Sequence, residues 1–200
     1  MKKDFVYLAS ASPRRSELLR QIGVSFEVRP AAIPEEPSPL EAPEAYVLRP
    51  AVAKADAVFA TLEDHERGPV LAADTAVVLD GVVLGKPADV GEASAMLERL
   101  SARSHRVLTA VALRCGDSVE TLLSESEVRF RATTAAERLA YCATGEPFDK
   151  AGGYGIQGRA AVFVESLRGS YSGVVGLPLF ETAALLARCG IGYWRTARAA

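Results

Sequence analysis

The sequence predicts an α/β protein in which helices pack on a mixed β-sheet. Three observations support this fold class: a strand-turn-helix unit begins the chain, two hairpin signals lie in its middle, and apolar residues recur at helical spacing between them. The 200 residues are 49% hydrophobic and 24% charged, which is typical of a folded chain long enough for one domain or two small lobes that share a cleft. We therefore expect one domain over residues 1–200.

The chain starts with a predicted strand over residues 5–9, and a helix follows at once. Ser12 is a suitable N-cap, Pro13 fits the first helical position, and Gly23 ends the helix. A second strand is expected over residues 24–28. The stretch after it is rich in proline, which excludes regular structure, so a long loop is predicted there.

Residues 42–61 have helical character, but Pro50 interrupts them. A proline inside a helix removes one backbone hydrogen bond and clashes with the preceding turn, so we expect a kink or two short helices, with Lys54 on the second part. The apolar run over residues 69–73 predicts a buried strand that ends at Asp74.

The middle of the chain carries the two hairpin signals. Asp80-Gly81 separates two apolar runs and is a dipeptide typical of a two-residue hairpin turn. Gly116-Asp117 likewise separates two strand-like runs. Between these hairpins a helix is predicted from four apolar residues at helical spacing, which are Ala93, Met96, Leu97 and Leu100.

The last third of the chain predicts two helices and a strand. Thr134 followed by Glu137 is the pattern of a capping box, which begins a helix that Gly145 ends. Residues 160–167 are strand-like, and Pro178 begins a final helix. This mixture of hairpins and helices indicates a mixed sheet with helices packed on it.

The first candidate for a binding segment is the strand-to-helix turn LASASPRR at residues 8–15. Small residues such as Ser10 permit close approach of a ligand, while Arg14 and Arg15 stand in the first helical turn, where cations oppose the helix dipole. An anion bound between them and the exposed backbone N–H groups would compensate. The alternative is a capped surface helix with two solvated arginines, and these residues alone favour neither interpretation.

The second candidate is Asp74, a carboxylate beside the end of an apolar strand, where metal ligands and general bases are common. The alternative is a turn in which the Asp74 side chain merely ends the strand, and for this residue by itself that alternative is favoured. Lys86, in Gly85-Lys86-Pro87, is comparable, because a lysine in a hairpin is usually a solvated charge.

The third candidate is the glycine-rich segment DKAGGYGIQG, which contains a literal G-x-G-x-x-G pattern. A dinucleotide fingerprint needs a strand before the glycines and a helix after them, but here a turn precedes and a strand is expected to follow, so we reject it. A loop that carries Lys150 and Gln157 still suits close backbone approach to a ligand. The alternative is an ordinary flexible connection.

Charge and residue counts limit the classes of protein. The net charge of -2 argues against general nucleic-acid binding, and no run approaches the roughly 20 apolar residues of a membrane span.

The three cysteines are odd in number and far apart, which suggests neither a disulfide framework nor a zinc site, so we expect a reducing cytoplasm. Histidine-driven catalysis is not expected, because His65 is interpreted as a solvated loop residue and His105 as a strand-edge residue.

Seven segments, taken in order, closely resemble the Maf family of nucleotide pyrophosphatases. The resemblance spans nearly the whole chain. The segments are LASASPRR (8–15), Glu35 in the proline-rich loop, Lys54 in AVAKA, AADTAVVLDG (72–81), GKP (85–87), DKAGGYGIQG (149–158) and SYSGVVGLP (170–178).

The resemblance implies hydrolysis of a nucleoside triphosphate to the monophosphate and pyrophosphate, in a central cleft of an α/β fold similar to that of inosine triphosphate pyrophosphatase. A divalent cation, Mg²⁺ or Mn²⁺, is implied as cofactor, with Glu35 and Asp74 as its ligands and Asp74 as proton acceptor for the attacking water. The substrate-binding residues implied are Ser10, Arg14, Arg15, Lys54, Thr75, Lys86, Lys150 and Gln157.

Substrate choice in the family is attributed to positions that match Arg14, Thr75 and Gln157, and the Thr and Gln here resemble the dTTP/UTP subgroup. The glutamine amide offers one donor and one acceptor, which matches N3–H and a carbonyl of uracil or thymine. The alternatives are the 7-methyl-GTP subgroup, which has Glu in place of Gln157, and a non-catalytic regulator of cell division. A nucleotide-metabolising enzyme of the cytoplasm is expected, without stable nucleic-acid or membrane binding, and a homodimer is left open.

Overall fold

The structure, a computed structural model, describes residues 4–34 and 41–194. Its strands are β1 (Val6–Leu8), β2 (Phe26–Val28), β3 (Val70–Leu79), β4 (Val82–Leu84), β5 (Ser104–Cys115), β6 (Ser118–Phe130) and β7 (Val164–Arg168). Its α-helices are α1 (Pro13–Gln21), α2 (Pro43–Thr61), α3 (Val90–Leu100), α4 (Ala135–Cys142), α5 (Tyr171–Val175) and α6 (Leu179–Cys189). Short 3₁₀ helices at Glu146–Asp149, Ala151–Gly153 and Arg159–Phe163 lie between α4 and β7.

The strands form a mixed sheet in the order β2-β1-β3-β5-β6-β7, with β4 also paired to β3. β1 runs parallel to β2 and β3, whereas the other neighbours are antiparallel. The β3–β4 hairpin turns at Asp80-Gly81, whose φ angles of 53° and 78° are the positive values that a type I′ turn requires. The predicted α/β class, with a mixed sheet and flanking helices, is confirmed.

One edge of β3 is paired only at its two ends. β5 pairs with the other edge along most of the strand. On the edge opposite β5, β1 reaches only as far as Leu71, and β4 begins its pairing at Val77. Between them, no strand in the described part of the chain covers that edge, and Asp74 and Thr75 lie in the gap.

Alternate residues of β3 pack into different halves of the hydrophobic core. Ala73 belongs to a cluster that includes residues of α1 and α6. Ala72 and Ala76 belong to a cluster on the opposite face, which includes residues of α2. Because side chains alternate along a strand, Asp74 is directed towards α2, and Thr75 is directed towards α1 and α6.

A third cluster lies under α3 and α4 and includes Leu97, Leu100 and Phe130. The helix predicted from four apolar residues is confirmed as α3, which buries all four. The capping box is confirmed as well, because the side chains of Thr134 and Glu137 each accept from the other's backbone N–H at the start of α4.

Of the two outcomes expected at Pro50, a kink or two short helices, the second is wrong. α2 is one helix from Pro43 to Thr61, and Pro50 is buried inside it. A proline removes only one backbone hydrogen bond, and the apolar face of α2, with Val47, Ala51 and other residues, packs on the sheet. We infer that this burial outweighs the local cost of the proline.

Two strand boundaries also differ from the predictions. β3 does not end at Asp74 but continues to Leu79, because its pairing with β5 extends past Asp74. Residues 160–163 belong to a 3₁₀ helix, and the strand begins only at Val164. The reason is that the backbone N–H groups at the start of this segment bond to the side chain of Glu146 rather than to a neighbouring strand.

The expectation about the cysteines is wrong for one pair. Cys115, the last residue of β5, and Cys189, the last residue of α6, form a disulfide across 74 residues of sequence. Sequence spacing cannot reveal this pair, since the packing of α6 against the sheet brings the two ends together. Cys142 is a buried free thiol. Over residues 4–34 and 41–194, no helix has the length and hydropathy of a membrane span.

Candidate active site

A cleft of about 850 Å³ opens beside the unpaired edge of β3. This volume lies within the roughly 300–1,000 Å³ that is usual for ligand pockets. Glu35, one of the two predicted metal ligands, lies outside the described residues. The cleft is lined by the other predicted site residues, which are Ser10, Arg14, Arg15, Lys54, Asp74, Thr75, Lys86, Lys150 and Gln157.

Asp74 and Lys54 form a buried ion pair on the α2 side of the cleft. Lys54 Nζ donates to Asp74 Oδ1 over 2.7 Å, and each residue is only 7% exposed. Lys54 follows Ala51 by about one helical turn, so the packing of the apolar face of α2 brings its ammonium group to β3. The interpretation of Asp74 as a turn residue is wrong, because its carboxylate is held inside a continuous strand.

Arg15 joins three parts of the chain on the other side of β3. Its Nε donates to the carbonyl oxygen of Gly176 over 2.8 Å, Nη1 to Ser10 Oγ over 3.1 Å, and Nη2 to Thr75 Oγ1 over 3.4 Å. A guanidinium group suits this role because its donors form a rigid planar fork. Arg15 is therefore held by the protein in one orientation at the cleft, which excludes the interpretation as a freely solvated side chain.

The hydroxyl of Thr75 belongs to a chain of hydrogen bonds with a fixed direction. Thr109 Oγ1 lies 2.7 Å from the carbonyl oxygen of Gly173, which can only accept, so Thr109 donates to it. Thr109 in turn accepts from Thr75 over 3.0 Å, while Thr75 accepts from Arg15. Thr75 consequently presents a lone pair rather than a proton to a ligand in the cleft.

Arg14 and Lys150 share the carboxylate of Asp149. Arg14 Nη2 lies 3.5 Å from Asp149 Oδ2, and Lys150 Nζ donates to the other oxygen. Burial raises the pKa of Asp149, but the hydrogen bond from Lys150 and the charges of Lys150 and Arg14 outweigh burial and hold that pKa below its ordinary value. The ionised Asp149 therefore links α1 to the glycine-rich loop, by which we mean residues 150–158.

The remaining two site residues are exposed at the cleft. Lys86 lies in the turn after β4, and Gln157 lies in the glycine-rich loop. The N–H of Gly152 donates to the carbonyl oxygen of Gly85 over 2.9 Å. This bond ties the loop to the turn, so both side chains are carried by connected backbone.

The described lining of the cleft has five cationic side chains and three carboxylates, and so a surplus of positive charge. That surplus suits a polyanionic ligand. Among the described residues no group of three His, Cys, Asp or Glu side chains could hold a metal ion. Asp74 is nevertheless an oxygen donor of the kind that Mg²⁺ prefers, and Mg²⁺ commonly combines one or two carboxylates with substrate phosphates. The cleft fits a cation bound together with phosphate.

Four groups at the site were not singled out from the sequence. They are the side chains of Thr109, Glu146 and Asp149, and the carbonyl oxygen of Gly176. Asp149 and Gly176 had a usable signal, because they lie in the quoted segments DKAGGYGIQG and SYSGVVGLP. The others become neighbours of the site through strand pairing and loop packing.

His105 is the second residue of β5, which agrees with its interpretation as a residue at the end of a strand, but its burial was not predicted. It is 3% exposed, and its Nε2 is 2.8 Å from the hydroxyl of Tyr154, which lines the cleft. Within the described part of the chain its Nδ1 has no hydrogen-bond partner. Burial lowers the pKa of His105 to about 4, so the ring is neutral at neutral pH.

His105 is expected to make the protein less stable in mild acid. Its pKa is 6.5 in an unfolded chain and about 4 when folded, so below pH 6.5 the unfolded state binds more protons and folding stability falls as the pH drops towards 4. The free energy of unfolding, measured in urea at about pH 7.5 and at about pH 5, should be lower at the acid pH, and His105 should account for about 2 kcal/mol of the difference.

The variant His105→Gln, compared with wild type at both pH values, isolates this contribution. The variant should lose less stability on acidification, while His65→Gln, at an exposed position, should behave as wild type. An equal loss in wild type and His105→Gln would show that His105 does not titrate as its burial requires.

The fold and the cleft define an α/β protein with a cationic pocket suited to a phosphorylated ligand, in which a buried carboxylate stands among the cations. The family model of Maf-like proteins matches residues 5–189. The chain belongs to the Maf family.

Two curated relatives are similar over most of their length. The dTTP/UTP pyrophosphatase of Aromatoleum aromaticum is 53% identical over 196 residues, covering 92% of this chain and 95% of that protein. The dTTP/UTP pyrophosphatase of Burkholderia pseudomallei is 54% identical over 200 residues, covering 94% and 95%. Among solved structures, the Ham1 protein of Staphylococcus aureus matches 62% of this chain and 71% of that chain, with 12% identity and a TM-score of 0.43, so the likeness is distant.

Proposed function

We propose that this protein is a nucleoside triphosphate pyrophosphatase that hydrolyses dTTP and UTP to the monophosphate and pyrophosphate. The observation that carries the proposal is the placement of the Asp74–Lys54 pair and of Arg15 in one cationic cleft. The relatives at 53% and 54% identity, which are named dTTP/UTP pyrophosphatases, support the substrate class.

The proposed reaction uses Asp74 as the proton acceptor. The oxygen of a water molecule forms a bond to the α-phosphorus, its proton passes to the Asp74 carboxylate, and the bond from that phosphorus to the α,β-bridging oxygen breaks so that pyrophosphate leaves. The buried bond from Lys54 holds the carboxylate in one direction. A triphosphate carries about four negative charges, and the cations of the cleft would stabilise charge that develops on it.

The proposed contacts divide between phosphate oxygens and the divalent cation. Arg15, with Ser10, Arg14, Lys86 and Lys150, would bind phosphate oxygens. We propose that Asp74 and Glu35 hold Mg²⁺ or Mn²⁺, which when bound would neutralise phosphate charge and help to activate the water.

Base selection is proposed for Gln157 and Thr75. The amide of Gln157 can pair with the N3–H and a carbonyl of uracil or thymine. Thr75 presents only a lone pair, so it would accept a hydrogen bond from an N–H group of the substrate and would disfavour a group that is itself an acceptor. Cytosine has an acceptor at N3, so CTP is expected to be the poorer substrate.

A substrate panel tests the proposal. Purified protein with Mg²⁺ or Mn²⁺ is incubated separately with UTP, dTTP, CTP and 7-methyl-GTP, and both pyrophosphate and orthophosphate are measured. We expect pyrophosphate from UTP and dTTP, with kcat/KM at least about tenfold above CTP. Release of orthophosphate would contradict the reaction, and faster turnover of 7-methyl-GTP than of dTTP would contradict the subgroup.

We also propose that the protein works in the cytoplasm, where nucleoside triphosphates are used, and that it forms no stable complex with nucleic acid. The Cys115–Cys189 disulfide gives no support for this compartment, because disulfides are rare in reducing compartments.

A further inference from the structure

Glu146 is a partly exposed carboxylate that lines the cleft, and the proposed reaction gives it no role. Its side chain accepts hydrogen bonds from the Tyr141 hydroxyl over 3.0 Å and from the backbone N–H of Arg159 over 2.9 Å, with a longer contact of 3.5 Å from the N–H of Ala160. Both carboxylate oxygens are engaged by protein donors. The carboxylate is therefore placed to hold the backbone at Arg159 and Ala160.

The backbone of the same residue contacts the opposite end of the glycine-rich loop. Lys150 Nζ donates to the carbonyl oxygen of Glu146 over 2.6 Å. Glu146 thus bonds to Lys150, where the loop begins, and through its side chain to Arg159, just past the end of the loop. Gln157 lies between these two attachment points.

Two glycines of the loop, Gly155 and Gly158, lie directly against the side chains of Lys150 and Glu146. A Cβ added at Gly158 would lie 2.2 Å from Glu146 Oε1, and a Cβ at Gly155 would lie 2.8 Å from Lys150 Cε. Either Cβ would force the end of the neighbouring Glu146 or Lys150 side chain to move. Glycine at these two positions of the G-x-G-x-x-G pattern, rejected above as a dinucleotide fingerprint, lets the loop pack directly against both side chains.

The hydrogen bonds favour the ionised form of Glu146. Burial raises its pKa, but the bonds from the N–H of Arg159, from Tyr141 and from the N–H of Ala160, together with the charge of Lys150, outweigh burial, and the pKa lies below its ordinary value. An ionised carboxylate can only accept hydrogen bonds, which matches the three protein donors directed at Glu146.

We infer that Glu146 is a positioning residue that holds the glycine-rich loop at both ends and thereby sets the places of Lys150 and Gln157 in the cleft. The inference rests on the proposed function, since Lys150 and Gln157 are substrate contacts only within that proposal. Because Gln157 is exposed, the position of its amide depends on the backbone that carries it. A loop released at Arg159 would leave Gln157 unable to select the base.

The test variant is Glu146→Gln, which keeps the shape of the side chain. One carboxylate oxygen becomes an NH₂ group, which is a donor and therefore cannot accept the hydrogen bond that the oxygen accepted in wild type. We expect kcat/KM for UTP to fall by about tenfold to 100-fold, mostly through KM, and the preference for UTP over CTP to fall at least about fivefold. The control is Glu165→Gln, the same change at an exposed residue of β7 that pairs with Arg129. Glu165 is absent from the cleft lining, so its replacement should leave kcat/KM for UTP and the preference for UTP over CTP unchanged.

A double-mutant cycle separates positioning from general damage to the fold. In a Gln157→Ala background, adding Glu146→Gln should change the UTP to CTP preference by less than about twofold, because the residue that it positions is already absent. Equal losses for UTP and CTP in the single variant, or additive effects on the preference in the double variant, would overturn the inference.

Amide hydrogen exchange gives a readout that needs no turnover. Glu146→Gln should raise the exchange rates of the amides of residues 155–160 at least about tenfold, while the amides of β3 and β5 remain as protected as in wild type. If wild type fails to release pyrophosphate from UTP, the proposed function fails, and the exchange rates still decide whether Glu146 holds the loop. Unchanged exchange in residues 155–160 would overturn the inference even in an active enzyme.

Discussion

Replacing Asp74 with Asn is expected to reduce kcat for UTP by about 10³-fold, within the roughly 10²- to 10⁴-fold that a positioned general base contributes. Asparagine has nearly the same shape, and its carbonyl oxygen can still accept from Lys54. It cannot take a proton from water at neutral pH, and it is a weaker ligand for a divalent cation. Pyrophosphate release under saturating UTP and Mg²⁺ measures the effect.

The matched control for Asp74→Asn is Asp56→Asn. Asp56 lies on α2, pairs with Arg114 over 2.7 Å, and is absent from the cleft lining. This control removes the same charge and should retain kcat. Binding of the non-hydrolysable α,β-imido analogue of UTP, together with thermal unfolding, should show that Asp74→Asn remains folded and competent to bind. Retention of more than about a tenth of wild-type kcat by Asp74→Asn would refute its assignment as the proton acceptor.

Replacing Arg15 with Lys is expected to reduce kcat/KM for UTP by about 100-fold, which corresponds to about 2.7 kcal/mol. Lysine keeps the positive charge but lacks the planar fork, so one ammonium group cannot reproduce the bonds to Gly176, Ser10 and Thr75. The loss should appear in both kcat and KM, because the same side chain would bind phosphate and hold the Thr75 hydroxyl. Initial rates over a range of UTP concentrations separate the two parameters.

Arg20→Lys is the control for Arg15→Lys. Arg20 lies in the last turn of the same helix, is exposed, and stacks over Phe26 at 5.3 Å. Its replacement should leave kcat/KM within about twofold of wild type. If Arg15→Lys is as active as Arg20→Lys, charge alone accounts for Arg15, and the geometry of its three bonds is irrelevant to catalysis.

Local patterns were sufficient to predict much of the fold. The type I′ hairpin at Asp80-Gly81 and the capping box of Thr134 and Glu137 were predictable because their geometry depends on residues within a few positions of each other. Pro50 was misjudged because its cost is local, whereas the packing of α2 on the sheet, which compensates for it, is not.

The candidate site was predictable only as a set of residues. The nine described site residues line one cleft, and the ordered resemblance to the Maf family was what united them, since each segment alone had a structural alternative. The sequence could not reveal that β3 continues past Asp74 or that His105 is buried beside Tyr154, because both depend on β5 and on the glycine-rich loop.

The sequence by itself determined the family, the α/β class and the inventory of charged groups, because these depend on local patterns and residue types. Only the tertiary structure decided what those groups contact. The gap between β1 and β4 leaves one edge of β3 open, and the alternation of its side chains directs Asp74 to Lys54 and Thr75 to Arg15. These contacts join residues 20 and 60 positions apart, and such separations are closed by core packing rather than by any local preference of the chain.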